Sequence, residues 1–178
     1  MKVFKIFICC VFLISVTIFM GCSSRSKMAP NLALETDLSR YPICVFSVES
    51  QVTEDIDKEL NELKSRILQR ISELKIFRSI QFARACEKSE GCLQVNVLIS
   101  GIKKVSGSKR FSLGSLAGRA KMKADITLID GTTQEAIGSY TVTGESGNTD
   151  FSGGTGEAIR ETSEAIVEII QENYGTGR

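Results

Sequence analysis

Residues 118–130 read "GRAKMKADITLID" and alternate between apolar and polar side chains. Successive side chains of a β-strand point to opposite faces of the sheet, so this alternation predicts a strand with one face in the core and one in water. The predicted core-facing residues are Ala120, Met122, Ala124, Ile126 and Leu128, and the predicted solvent-facing residues are Arg119, Lys121, Lys123, Asp125 and Thr127. A sheet with one wet face is typical of antiparallel pairing.

Four further segments have strand-like patterns. Residues 43–48, "ICVFSV", are apolar on both alternate faces, which indicates a central strand buried inside the sheet. Residues 77–83 form a second short candidate, and residues 92–105 carry apolar side chains at odd positions. Residues 139–143 alternate again, so we expect five strands in all.

Two segments repeat apolar residues at steps of three and four, which predicts amphipathic helices. The predicted stripes are Ile56, Leu60, Leu63, Ile67, Ile71 and Leu74 in the first helix, and Ile159, Thr162, Ile166 and Ile169 in the second. Thr53 and Thr155 are the expected N-caps, and Gly175 is the expected stop. The order β-α-β-β-β-β-α predicts an α+β two-layer sandwich, with a mostly antiparallel five-stranded sheet, in a single domain over residues 41–175.

The start of the chain has the pattern of a secretory signal peptide, with Lys2 and Lys5 before an apolar run over residues 6–20. The run of about fifteen residues is short for a bilayer span, which needs roughly 20. The "FMGCSS" sequence at its end resembles the lipobox of bacterial lipoproteins, which implies removal of residues 1–21 and lipid modification of Cys22. The alternative is an uncleaved anchor helix with an incidental cysteine.

On the lipoprotein interpretation, residues 22–40 form a lipidated tether without a clear period. Acyl chains on Cys22 would attach the domain stably to a membrane of the bacterial cell envelope. Ser23 after the cysteine favours, by analogy with enteric bacteria, an outer membrane with the domain facing the periplasm.

Cys86 and Cys92 bracket "EKSEG", a polar turn-like insert, and a disulfide between them is compatible with an oxidising envelope. Two free thiols are the alternative, because spacing alone does not place the Cβ atoms. Cys44 is expected to be a small buried apolar residue.

The composition weakens several function classes. The 22 basic and 21 acidic residues nearly balance, which argues against nucleic-acid binding. The chain has no His, the usual acid/base group at neutral pH and the commonest metal ligand. No nucleophile is paired with a base in any recognisable motif, so we predict neither an enzyme nor a bound metal or cofactor.

Two segments are candidate contact sites. The loop over residues 106–118, "SGSKRFSLGSLAG", carries apolar residues, which would mark a contact site if they are exposed. The predicted partner-binding residues on this loop and on the following strand are Arg110, Phe111, Leu113, Leu116, Arg119, Lys121 and Lys123. The alternatives are apolar residues that cap the core and a solvated strand face. The run "FSGGTGEAI" places Gly153, Gly154 and Gly156 before a helix, where backbone N–H groups could hold an anion. A loop that needs positive φ angles is the simpler interpretation.

Several of these features together resemble the bacterial lipoprotein family catalogued as domain of unknown function 4410. The residues that carry the resemblance are Arg110, Gly114 and Gly118, the strand "RAKMKADITLID" with its Asp130 turn, "GSYTVTGESG", the glycine run and the helix "GEAIRETSEAIVEII". The family implies a lipoprotein but supplies no activity. We therefore expect a non-enzymatic, lipid-anchored envelope domain that binds an envelope protein or its own copies. The alternative is a carrier or sensor of an anionic small molecule or glycan.

Overall fold

The computed structural model describes residues 24–86, 91–106, 112, 118–147 and 154–175. The strands are β1 (Arg25–Leu32), β2 (Ile43–Ser50), β3 (Ser79–Phe82), β4 (Cys92–Lys103), β5 (Lys121–Asp130) and β6 (Ala136–Glu145). The helices are α1 (Asp57–Leu74) and α2 (Thr155–Glu172), and a short 3-10 helix spans Leu38–Arg40. Among the described residues, no helix combines the length and the apolar character needed to cross a bilayer.

The strands form one mixed sheet in the order β1-β6-β5-β4-β2-β3. The pairs β1–β6, β6–β5 and β5–β4 are antiparallel, whereas β2 runs parallel to both β4 and β3. The α+β class is confirmed, but the expected mostly antiparallel five-stranded sheet is wrong. Helix α1 returns the chain to the end of the sheet where β2 began, so β3 must run parallel to β2.

Strand β1 is the one strand in addition to the five expected from the sequence. It lies inside residues 22–40, the segment expected to be a tether. It pairs with β6 from Arg25 opposite Glu145 to Leu32 opposite Ser139, with an irregularity after Pro30. Its residues are almost all exposed and show no alternation, because an edge strand is held mainly by backbone hydrogen bonds. Pro30 has no N–H to donate and is tolerated at such an edge.

Both helices pack on one face of the sheet, and the core lies between them and the alternating apolar side chains of β2, β4 and β5. Gly144 on β6 lets α2 approach closely, because a Cβ there would collide with the Ala158 carbonyl and with Thr162. Thr162 Oγ1 donates to that carbonyl at 2.8 Å. The register of β6 therefore fixes where α2 sits.

The starts of the two helices differ from the expected caps. Helix α1 begins at Asp57 rather than after Thr53, and Asp55 Oδ1 accepts the Asp57 N–H at 3.1 Å. Helix α2 is preceded by Gly154, and the Thr155 hydroxyl instead accepts the Val105 N–H at 3.1 Å. That bond joins the start of α2 to the segment after β4.

Candidate functional surface

The sheet face opposite the helices gathers basic side chains at one end. One cross-strand row consists of Lys103, Lys121, Glu145 and Arg25, taken from β4, β5, β6 and β1. The next row consists of Gly101, Lys123, Thr143 and Lys27. We call Arg25, Lys27, Lys103, Arg119, Lys121 and Lys123 the basic patch. Alternation within each strand puts both rows on one face, and the strand pairing brings them together.

Glu145 lies at the centre of the patch, and its side chain is only 5% exposed. Lys121 Nζ donates to Oε1 at 2.8 Å, and Arg25 Nε donates to Oε2 at 3.2 Å. Arg119 Nη1 lies 3.7 Å from Oε2. The Lys121 hydrogen bond, reinforced by Arg25, lowers the pKa of Glu145 below its ordinary value even though burial acts in the opposite direction.

Positive charge exceeds negative charge across the basic patch. Among the residues that the structure describes, Lys27, Lys103 and Lys123 form no ion pair, and Lys27, Lys103, Lys121 and Lys123 are all exposed. Asp125 is the next carboxylate along β5 on this face, and it accepts a hydrogen bond from Thr141 Oγ1 at 2.8 Å. The patch therefore presents six cations beside two carboxylates.

The start of the described chain is fixed beside this end of the sheet. Ser24 Oγ donates to Glu161 Oε1 at 2.8 Å, and Arg160 Nη2 donates to Ser24 Oγ at 2.8 Å. Arg25 follows directly as the first residue of β1. Helix α2 thus fixes the position of Ser24, the first described residue.

A disulfide covers the opposite end of the same face. Cys86 and Cys92 are bonded to each other, with Cα atoms 6.3 Å apart, so the predicted pairing is confirmed. Both cysteines are buried against Val45, and the Cys86 N–H donates to Gln94 Oε1 at 3.2 Å. Cys44 is buried, as expected, and burial raises the pKa of its thiol.

The predicted partner-binding residues divide between described and undescribed parts of the chain. Arg119, Lys121 and Lys123 lie together in the basic patch around Glu145. Arg110, Phe111, Leu113 and Leu116 lie outside the described residues, as does Cys22. Sequence analysis missed Arg25, Lys27, Lys103 and Glu145. Only the pairing of β6 and β4 with β5, and of β1 with β6, brings these four into the site.

The predicted anion site lies at the start of α2, and carboxylates of the chain are already close to it. Gly154 precedes the helix and Gly156 is in its first turn, whereas Gly153 lies outside the described residues. Glu62 Oε1 would be 3.3 Å from a Cβ at Gly156, and Glu157 Oε2 accepts the Gly147 N–H at 3.0 Å. These negative charges weaken the attraction of the helix terminus for a further anion.

A buried hydrogen-bonded pair joins β5 to the segment before β2. Tyr41 Oη donates to Asp130 Oδ2 at 2.8 Å. Burial and this bond raise the pKa of Tyr41 to about 12, and the same bond lowers the pKa of Asp130. The described residues contain no group of three or more Cys, Asp and Glu side chains placed to hold a metal ion. The pair is suited to holding the turn after β5 in place.

Comparisons with known proteins give likenesses of fold. No family model matches the chain, so the resemblance to domain of unknown function 4410 stays a prediction. No curated protein matches its sequence. A PelC dodecamer from Paraburkholderia phytofirmans is similar with a TM-score of 0.57 and 11% identity, over 82% of this chain and 97% of that chain.

A second PelC dodecamer structure from Paraburkholderia phytofirmans, of a substituted chain, has a TM-score of 0.54 and 11% identity, over 85% of this chain and 99% of that one. A Xanthomonas campestris protein of the family DUF330 has a TM-score of 0.47 and 8% identity, over 73% of this chain and 81% of that one. At such identities, the two PelC likenesses show that the fold is shared and nothing further.

Proposed function

We propose that this chain is a lipid-anchored protein of a bacterial cell envelope, and that it acts without catalysis by assembling with copies of itself. The observation that carries the proposal is the fold shared with PelC. The likeness covers nearly all of the PelC chain, and the PelC structure is a dodecamer. The lipobox-like "FMGCSS" supports the anchor. The loop over residues 106–118, chosen from its sequence, is the proposed contact surface between copies.

The described part of the chain supports a non-catalytic role. The Tyr41–Asp130 pair is buried, and the one described free thiol, Cys44, is also buried. A nucleophile needs both access to substrate and a positioned base. The alternative of an anion carrier or sensor finds no support at the start of α2, where Glu62 and Glu157 lie close by.

The anchor is tested by the intact mass of the native protein purified from membranes. We expect a chain that starts at Cys22 and carries acyl groups. A Cys22→Ser variant should leave the membrane fraction or keep its leader, whereas the neighbouring Ser23→Ala variant should behave as wild type. An unmodified thiol at Cys22 in the wild-type protein would contradict the anchor.

Self-assembly is tested separately, by native mass spectrometry of the detergent-solubilised protein over a range of concentrations. We expect discrete oligomers that persist on dilution, because a homo-oligomer with closed symmetry leaves no interface unpaired. A monomer at every concentration would contradict self-assembly. The domain would then be expected to bind another envelope protein instead of its own copies. Cross-linking in cells followed by co-purification would identify that protein.

A further inference from the structure

We propose that the basic patch docks on anionic lipid headgroups of the membrane in which the chain is anchored. This inference rests on the proposed lipid anchor and adds to it an orientation of the domain. The basic patch is the membrane-facing surface, and the disulfide-covered end of the sheet points away from the bilayer.

The first step is the position of the chain start. The Ser24 side chain is held by Arg160 and Glu161, and Arg25 is both the first residue of β1 and a member of the basic patch. Cys22 precedes Ser24 by two residues, which limits the separation of their Cα atoms to about 7 Å. An acylated Cys22 would therefore bring the bilayer surface to this end of the sheet.

The second step is charge complementarity. Five of the six cations come from three strands, β1, β4 and β5, and the sixth, Arg119, lies two residues before β5; the strand pairing puts them on one surface. Lys27, Lys103 and Lys123 are exposed and form no ion pair within the described chain, so a headgroup layer can approach them. The negative potential of anionic lipids attracts basic residues close to a membrane, and each such residue adds to the binding free energy.

The third step is the role of Glu145 in shaping the surface. The buried carboxylate holds Lys121 at 2.8 Å and Arg25 at 3.2 Å, which keeps β5 and the edge strand β1 in a common surface. Three cations share this one carboxylate, so the cluster stays positive overall. The surface is formed before any lipid arrives and needs no refolding to meet a headgroup layer.

The orientation can be measured with the full-length acylated protein reconstituted in vesicles. An amine-acetylating reagent and mass spectrometry report the labelling rate of each lysine in phosphatidylcholine vesicles with and without phosphatidylglycerol. We expect Lys27, Lys103, Lys121 and Lys123 to label about fivefold more slowly in the anionic vesicles, the factor that corresponds to headgroup attraction of one basic residue. Lys58 and Lys75, exposed at the two ends of α1, are internal controls and should label equally in both.

A double Lys121→Gln/Lys123→Gln variant tests the cooperation of the patch. The protection of Lys27 in anionic vesicles should largely disappear, whereas it should persist in the matched Lys58→Gln/Lys75→Gln variant. High salt should remove the protection of the wild-type protein as well, because it screens exposed charges. If the double variant does not fold, the labelling of the wild-type protein in the two vesicle types still tests the proposal.

Two outcomes would overturn the proposal. Equal labelling of the four lysines in both vesicle types, at the rate of Lys58 and Lys75, would show that the patch does not meet the bilayer. Equal protection in both vesicle types and in detergent would show that another copy of the chain covers the patch. An intact mass without acyl groups would instead refute the anchor, so that failure is distinguishable.

Discussion

Asp130 is a buried carboxylate that accepts hydrogen bonds from Tyr41 Oη at 2.8 Å and from the N–H groups of Thr132 and Thr133 at 2.8 and 3.2 Å. We expect Asp130→Asn to lower the free energy of unfolding by about 1–3 kcal/mol, because the neutral amide replaces charge-assisted bonds and brings two donors of its own. Urea unfolding at neutral pH measures this. Glu135→Gln, an exposed change in the same turn, should have little effect.

The same carboxylate predicts an acid-sensitive stability. The Tyr41 hydrogen bond makes the pKa of Asp130 lower in the folded chain than in the unfolded chain, so the unfolded state binds more protons on acidification. Its contribution is present above the unfolded pKa of about 3.9. It is lost as the pH falls through the folded pKa. Urea midpoints from pH 7 down to pH 3 should fall less for Asp130→Asn than for wild type. Parallel curves would contradict this role.

The Asp130 turn also shows which features of a turn can be predicted from its sequence and which cannot. In the sequence, the aspartate stands out as part of a family pattern, whereas its buried partner Tyr41, 89 positions away, has no such signal. The left-handed backbone of this turn falls on Gln134, with φ of 62°, and not on a glycine. Two bonds within the turn hold this residue: its N–H donates to the Asp130 carbonyl at 2.8 Å, and its Nε2 donates to the Gly131 carbonyl at 2.7 Å. A glutamine in this conformation is uncommon, so residue preference does not predict it.

At the scale of elements, the contact between β6 and α2 depends on the absence of a side chain at Gly144. A Cβ there would collide with the Ala158 carbonyl and the backbone of Thr162, neither of which can move without the helix. We expect Gly144→Ala to lower the free energy of unfolding by about 1–3 kcal/mol, the usual cost of overpacking. Thermal or urea unfolding measures it.

The matched control is Gly101→Ala on β4, where a Cβ would meet Lys123 Cβ at an ordinary 3.8 Å. That substitution should be neutral or slightly stabilising, because alanine loses less conformational freedom on folding than glycine. Equal losses for the two variants would mean that the glycines act through strand propensity and that the approach of α2 is not the cause.

The disulfide links the segment after β3 to the start of β4. By the loop-closure estimate, its reduction should cost about 2 kcal/mol. Urea unfolding with and without dithiothreitol measures the loss, and a Cys86→Ala/Cys92→Ala variant should be insensitive to the reagent. Alkylation of the buried Cys44 reports unfolding in both proteins. An unchanged midpoint for fully reduced wild type would contradict the prediction.

The elements differ in how far their sequences predict them. Alternation was sufficient for β5, and the three- and four-residue steps were sufficient for α1 and α2, because each buries one face in the core. Strand β1 was missed because Met28 and Leu32 are exposed and pairing with β6 uses the backbone. Strand direction was missed for β2, since alternation has the same period in parallel and antiparallel pairs.

For the whole molecule, the sequence predicts one half of the basic patch. Alternation put Arg119, Lys121 and Lys123 on one face of one strand, which alone is indistinguishable from a solvated surface. The other residues of the site lie on β1, β4 and β6. Two of them, Arg25 and Glu145, are 120 positions apart in the chain, and strand order alone brings them together. The charge balance of the complete chain is near neutral and conceals this concentration of cations.

The pairing of β1 with β6 has a consequence for biosynthesis. Of the described strands, β1 is synthesised first, and its only described sheet neighbour, β6, is synthesised last, with Arg25 opposite Glu145. Because such a distant pairing forms late, β1 stays unpaired while the rest of the chain is synthesised. Any enzyme that acts on the growing polypeptide would meet β1 before it pairs with β6.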